Sequence, residues 1–237
     1  MVSPKCIAII GATGGIGAAV VAACRERHGG AEVICLSRSG DASGGDAGHV
    51  LDYDQPETIS AAAAAIGGPL DLVFVATGLL HDGDLGPEKS LRDLDAERLA
   101  RVYRVNTIGP ALVMRHFLPL MRRDRRAVFA AISARVGSIS DNGIGGWYGY
   151  RSAKAALNQM IRTAAIEQKR RFKEAVVVGL HPGTVDTGLS EPFQGNVPDG
   201  KLFTPAFSAN AMLDVLEGLT EEQSGRLYAF DGQEIAP

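Results

Sequence analysis

Gly11-Ala12-Thr13-Gly14-Gly15-Ile16-Gly17 follows directly on the apolar run 5–10 and opens a segment, 15–28, whose small residues recur at helical spacing. Strand, glycine turn, helix is the order that presents backbone N–H groups and the positive end of a helix to a pyrophosphate. Glycine at 11, 15 and 17 permits a tight turn, close approach of backbone to phosphate and close contact of helix on strand. The spacing is G-x-x-x-G-x-G rather than the commoner G-x-G-x-x-G. It predicts an α/β fold in which Gly11, Thr13, Gly14, Gly15, Ile16 and Gly17 hold a dinucleotide.

Outward from that turn, strand-like and helix-like segments alternate. Strands are expected at 5–10, 32–36, 71–75, 127–132, 175–180 and 226–230. Helices are expected at 15–28, 55–66, 95–121, 148–172 and 206–219. The stretch 37–48, rich in Ser, Gly and Asp, reads as loop, as does 78–89. Gly109-Pro110 interrupts the long pattern 95–121 and either kinks it or divides it. The runs 71–75 and 176–180 are almost continuously apolar, as expected of strands covered on both faces. Alternating βα units imply a Rossmann-type, doubly wound parallel sheet of about seven strands, with helices on both faces. No repeat or linker divides residues 1–237, so one domain is expected.

The 237 residues are 46% hydrophobic with a formal net charge of −3, which points to neither nucleic acid nor a membrane surface. The basic groups Arg122-Arg123-Asp124-Arg125-Arg126 and Lys169-Arg170-Arg171 follow helical patterns and read as solvated helix ends. Cys6, Cys24 and Cys35 are too few and too scattered for a disulfide framework or a zinc site. The first apolar run is too short for a secretory signal, and no stretch is long enough to span a bilayer. Cytoplasm is the expected location.

Tyr150-Arg151-Ser152-Ala153-Lys154 carries the chemistry. Tyr and Lys at i and i+4 project from one face of a helix. An ammonium close to a phenol stabilises phenolate and lowers its pKa from about 10, which makes a better acid. Tyr148 has no such lysine.

Together these features resemble the short-chain dehydrogenase/reductase family over nearly the whole chain. The glycine spacing, Tyr150 and Lys154 as Tyr-x-x-x-Lys, Asn106 within Val105-Asn106-Thr107, and Pro182-Gly183-Thr184-Val185-Asp186-Thr187 carry that resemblance. More narrowly, Gly137-Ser138-Ile139-Ser140-Asp141-Asn142, followed by Gly145-Gly146-Trp147-Tyr148-Gly149-Tyr150-Arg151, resembles the C-factor-like and sniffer-like carbonyl reductases.

The resemblance implies hydride transfer between a nicotinamide and a carbonyl or alcohol. Tyr150 is then the general acid. Lys154 lowers its pKa and binds the nicotinamide ribose. Asn106 holds a water that links Lys154 to solvent. Pro182, Gly183, Thr184, Val185 and Thr187 meet the nicotinamide. Asp52, with Tyr53 beside it, contacts the adenine. Ala76-Thr77-Gly78 stands where the family has Asn-Asn-Ala-Gly, so its backbone and Gly78 face the ribose without an asparagine amide. The family serine ends the strand before the tyrosine helix. Here that strand ends Ile132-Ser133-Ala134-Arg135, and Ser133, Ser138 or no serine supplies the hydroxyl, Ser133 being the first choice.

At the end of the second strand, Ser37 and Arg38 stand where an acidic residue would select NAD. A guanidinium suits a 2′-phosphate, so NADP(H) is expected over NAD(H). Residues 188–204 are expected to form a substrate lid, with Phe193 and Leu202 suiting an apolar carbonyl. His81 reads as a solvated loop residue. Trp147 and Tyr148 either line the pocket or pack the tyrosine helix. The resemblance also implies a homodimer or homotetramer packed through 100–121 and 150–172. The rival reading is a cofactor-binding signalling or regulatory protein of the C-factor type with little turnover, motivated by Ala134 and the altered 76–78 turn.

Overall fold

The computed structural model describes residues 3–42 and 44–237. In chain order the elements are β1 (Cys6–Ile10), α1 (Gly15–Arg27), β2 (Glu32–Ser37), β3 (Ala47–Val50), α2 (Glu57–Ile66) and β4 (Leu72–Val75). Next come α3 (Ala96–Tyr103), α4 (Gly109–Phe117), β5 (Ala127–Ile132), α5 (Tyr148–Lys169) and β6 (Ala175–His181). The chain ends with β7 (Thr184–Val185), β8 (Leu202–Phe203), α6 (Pro205–Gly218), β9 (Leu227–Ala229) and β10 (Glu234–Ile235).

Eight strands form the main sheet in the order β10-β9-β6-β5-β4-β1-β2-β3. Seven are parallel, and β10 closes the edge antiparallel to β9. Strand order reverses at β1, which lies between β2 and β4. In such sheets the crevice beyond the strand ends at the reversal is where ligands bind.

Alternation along each strand divides the apolar residues between two cores. Ile7, Ile9, Phe74, Ala130 and Val178 pack against α1 and α6 through Val20, Cys24, Met212 and Leu216. Ala8, Ile10, Val75, Phe129 and Val177 pack against α2, α4 and α5 through Ile59, Phe117, Leu157 and Ile161. A strand covered on both faces has no polar side to alternate with, which is why its sequence reads as continuously apolar.

Two expectations are corrected. The seventh parallel strand, β3, lies partly within the stretch 37–48 that reads as loop. Its glycines serve close packing. A Cβ at Gly48 would come 2.2 Å from the Gly40 carbonyl oxygen, and one at Gly45 would come 2.5 Å from Cys35 Sγ. The pattern 95–121 is divided at Gly109-Pro110, one of the two outcomes expected there, because α4 begins at Gly109. A π turn, Arg104–Ile108, joins α3 to α4, and Pro110 falls in the first turn of α4.

Second, the 122–126 arginines other than the exposed Arg123 are not solvated. Arg122 and Arg125 both bond the buried Asp71, at 2.7 and 2.8 Å, and half-buried Arg126 caps the carbonyls of Leu216 and Leu219 at the end of α6. Burial alone would raise the Asp71 pKa. Arg125, the amides of Lys5 and Cys6, and Arg122 hold it below the usual carboxylate range. Lys169, Arg170 and Arg171 are exposed, as expected.

Candidate active site

A cavity of about 550 Å³ opens at the C-terminal ends of the central strands. It runs from Gly14, Gly15 and Ile16, past Ala76, Thr77 and Gly78, to Tyr150 and Lys154, with Pro182, Gly183, Thr184, Val185 and Thr187 along one side. Residues far apart in the chain thus share one crevice because each follows the end of a parallel strand.

The glycine turn is built to exclude side chains. Gly11 has φ +81° and its amide donates to the Leu36 carbonyl at 2.8 Å, which ties the turn to the end of β2. A Cβ at Gly17 would lie 2.0 Å from the Gly11 carbonyl oxygen, and one at Gly15 2.7 Å from Thr187 Cγ2. Thr13 is exposed on the turn and Ser37 is buried. Arg38 projects into solvent two residues beyond Leu36, beside the turn. This open backbone at a helix N-terminus fits a dinucleotide pyrophosphate.

Asp52 and Tyr53 lie farther back. The Asp52 carboxyl accepts the Asp54 amide within its own turn. The Tyr53 hydroxyl meets Thr77 Oγ1 at 3.0 Å, and its ring fills the space beside Gly109, where a Cβ would come within 2.3 Å of it. Burial raises the Tyr53 pKa. Tyr53 therefore props the 76–78 turn from behind.

Lys154 is 1% exposed and its Nζ donates to the Ile132 carbonyl at 2.9 Å. It lies 5.7 Å from the centre of the Tyr150 ring. The expected electrostatics do not hold in this form of the site. Burial dominates, pushing Tyr150 up to about 12 and Lys154 down to about 7. Both shifts favour the neutral form in a low-dielectric setting.

Asn106 sits in the π turn with no exposure. Its Oδ1 accepts the Leu79 amide, and its Nδ2 donates to the carbonyls of Leu79 and Val102. It clamps the loop after β4 on α3. A Cβ on Gly78 would lie 3.7 Å from Asn106 Oδ1 and 4.0 Å from Lys154 Nζ, so both side chains approach the 76–78 turn at Gly78. Thr107 Oγ1 donates to the Ala153 carbonyl at 2.7 Å and ties the π turn to α5.

Ser133 borders the cavity, but its hydroxyl is engaged elsewhere. Oγ donates to Asn158 Oδ1 on α5 at 2.6 Å. Ala134 packs with Tyr150 and Leu80, beside Trp147, Leu189 and Phe193. Ser138 is buried outside this cavity, where its Oγ accepts the Asp141 amide.

The rest of the wall is apolar. Phe193 stacks edge-on against Trp147 at 5.1 Å, and Trp147 against Tyr150 at 6.3 Å. Tyr148 turns outward. Of the two apolar residues expected over the substrate, Phe193 is on the wall. Leu202 lies in the β7–β8 ribbon and does not line the cavity. His81 is not merely solvated: its Nε2 lies 2.8 Å from the Gly188 carbonyl oxygen and its ring meets Phe193.

His181 and Val136 also line the cavity, and the sequence reading missed them; Leu189, from the expected lid, lines it too. A polar residue ending the apolar strand 175–180 was the available signal for His181. Burial, reinforced by Arg135, lowers its pKa to about 4, and Nδ1 is buried without a partner.

Doubly wound parallel sheets with a glycine turn at the reversal of strand order bind dinucleotides there, and this fold is of that class. Comparison with known proteins narrows it. Residues 5–197 match the short chain dehydrogenase family, and the chain belongs to that family. It is 34% identical over 168 residues to C-signal of Myxococcus xanthus, covering 71% of this chain and 93% of that one. It is 30% identical over 231 residues to 1-hydroxy-2-glutathionyl-2-methyl-3-butene dehydrogenase of Rhodococcus sp., covering 95% and 96%.

The NADPH-bound carbonyl reductase from chicken fatty liver superposes with a TM-score of 0.85 at 26% identity, covering 100% of this chain and 96% of that one. The carbonyl reductase Sniffer of D. melanogaster shares the fold, with a TM-score of 0.81 at 21% identity over the full length of both chains. The chain is therefore a short-chain oxidoreductase, related in sequence to C-signal and in fold to the carbonyl reductases.

Proposed function

We propose that this chain is an NADP(H)-dependent reductase of apolar carbonyl compounds with Tyr150 as its general acid. The observation that carries the reading is the shared cavity, which joins the glycine turn to the buried Tyr150 and Lys154. When bound, the nicotinamide supplies hydride to the carbonyl carbon or takes it from the alcohol carbon. Gly11 to Gly17 receive the pyrophosphate, Ser37 and Arg38 the adenosine phosphate, and Ala76, Thr77 and Gly78 the ribose. Pro182, Gly183, Thr184, Val185 and Thr187 flank the ring.

Tyr150, with a pKa raised by burial to about 12, stays a neutral phenol at physiological pH, the form that gives a proton to the carbonyl oxygen. Lys154, brought to about 7, can gain and lose the proton that restores it. Asn106 holds the loop that borders Lys154, and the relay to solvent assigned to it belongs to this reading. Ser133 is given a structural part, since its hydroxyl is spent on Asn158 and Ala134 stands beside Tyr150.

Leu80, Ala134, Val136, Trp147, Leu189 and Phe193 suit an uncharged aldehyde or ketone, with 188–204 as the segment over it. The NADPH-bound carbonyl reductase relative and the exposed Arg38 support NADP(H). Exposed Ile108, Met160 and Ile166 on the π turn and α5 support self-association there. The three free cysteines suit a reducing compartment such as cytoplasm.

Purified protein is expected to consume NADPH with aromatic and aliphatic aldehydes. Tyr150→Phe is expected to lose roughly 10²–10⁴-fold in turnover. Full turnover by that variant would remove Tyr150 from its role. The C-signal relative and Ala134 favour a second reading, a cofactor-binding signalling protein. Tight NADP(H) binding without turnover across a broad carbonyl panel would select it.

A further inference from the structure

The helix that carries Tyr150 has no cap of its own. The residue before it, Trp147, sits at φ 52°, ψ 43°, the one non-glycine residue with positive φ among the described residues. That left-handed conformation is disfavoured for an L-residue, because it brings Cβ close to the following carbonyl oxygen. It is reached through Gly145 and Gly146, both at positive φ.

A residue sixty positions earlier supplies what the helix lacks. Glu88, 6% exposed, accepts the Gly149 amide on Oε2 at 2.9 Å, and its backbone carbonyl accepts the Trp147 amide at 2.5 Å. A carboxylate at a helix N-terminus also meets the positive end of the helix. The fit leaves no slack, because a Cβ at Gly149 would come 2.7 Å from Glu88 Oε1 and 3.0 Å from Leu99 Cδ2 on α3.

We propose that Glu88 is a positioning residue of the active site. By gripping the residues on either side of Tyr148, it holds Trp147 in the left-handed conformation. That sets the indole against Tyr150 and Phe193 and fixes the entry of the catalytic helix. Glu88 touches neither substrate nor cofactor and acts through Trp147 and Tyr150. The proposal rests on the reductase reading for its effect on turnover, but not for its effect on Trp147.

Trp147 is the only tryptophan in the chain, so its fluorescence reports this one wall. In the full-length protein, Glu88→Ala is expected to shift Trp147 emission to the red and raise its quenching by acrylamide. It is also expected to lower kcat about 10- to 100-fold, since misplacement by an ångström costs that much, with NADPH affinity little changed. Glu88→Gln, which retains a carbonyl oxygen for the Gly149 amide, is expected to recover most of both. Wild-type emission and quenching in Glu88→Ala would overturn the proposal, as would a loss of turnover that only tracks the unfolded fraction.

Should Glu88→Ala fail to fold, Gly149→Ala displaces the carboxyl from the other side. It is expected to move the emission in a folded protein, and unchanged emission there would overturn the proposal. A wild-type protein with no turnover would sink the reductase reading instead, while the fluorescence arms still decide the role of Glu88.

Discussion

Ser133→Ala and Ala134→Ser together test which residue beside the tyrosine helix can serve a carbonyl oxygen. The Ser133 hydroxyl is 2.6 Å from Asn158 Oδ1 and is buried. Deleting it breaks one buried hydrogen bond and strands an amide oxygen, a loss of about 2 kcal/mol, or roughly 4–8 °C in Tm for a chain of this length. With that hydroxyl committed to α5, kcat measured well below the new Tm is expected to stay within about twofold of wild type.

A hydrogen-bond donor to a developing oxyanion is worth roughly 10²–10³ in kcat, so a catalytic Ser133 would show a fall that no stability correction could mask. Ala134 is 8% exposed and packs with Tyr150 and Leu80. A hydroxyl added there offers a second neutral donor worth about 1 kcal/mol, hence about a fivefold rise in kcat/KM. The assay is NADPH consumption with an aromatic aldehyde, run beside thermal melts of each variant. A hundredfold loss in folded Ser133→Ala, or no gain in folded Ala134→Ser, refutes the reasoning.

Arg38→Asp is expected to weaken NADPH relative to NADH by about 10- to 100-fold, the worth of a charge-assisted bond to phosphate. An unchanged ratio of dissociation constants would remove Arg38 from the 2′-phosphate. Gly109→Ala drives a methyl into the Tyr53 ring, 2.3 Å away, and is expected to lose about 1–3 kcal/mol by overpacking, read by denaturant titration. Asp71, whose folded pKa is depressed, stabilises the fold above its unfolded pKa of about 4, and that stability is lost as pH falls through the lower folded value. Asp71→Asn is expected to flatten the acid limb of the stability curve, and an unchanged limb would assign it to other carboxylates.

What the sequence made legible follows from how local each signal is. The glycine spacing, the apolar strands and the Tyr150/Lys154 pair announce themselves within a few residues, and the fold carries them where a parallel sheet must. β3 escaped because Gly40, Gly45 and Gly48 are there for close approach of backbone, which composition cannot tell from loop. The π turn escaped because Asn106 and Thr107 are pinned by Leu79 and Ala153, partners invisible at helical spacing. Glu88 escaped for the same reason, its bond to Gly149 spanning most of two βα units. Arg122 and Arg125 read as solvated because Asp71 is distant in sequence and only the fold brings it near. The fate of Ser133 turned on Asn158, again a partner chosen by the fold rather than by spacing.

The Tyr150–Lys154 pair gives the sharpest case, because the sequence supplies both groups but not their dielectric. An ammonium in water would make the phenol more acidic. Here burial brings Lys154 to about 7 from its ordinary 10.5 and raises Tyr150 to about 12 from 10. Between about pH 7 and 10 the unfolded chain holds a proton on Lys154 that the folded chain has released. Stability therefore rises with pH there, at up to ~1.4 kcal/mol per unit. Above about pH 10 the folded chain keeps the Tyr150 proton that the unfolded chain loses, and the contribution turns downward towards pH 12.

Lys154→Met removes the buried amine while keeping an apolar stem. It is expected to be more stable than wild type at neutral pH by roughly 2–5 kcal/mol and to lose the rise. The gain in stability should come with loss of turnover, since the strained group is the one that handles protons. Guanidinium titrations at about pH 7, 8 and 9 decide it. Parallel curves for wild type and Lys154→Met would mean that the folded protein keeps Lys154 charged, and the proton-handling role assigned to its depressed pKa would fall.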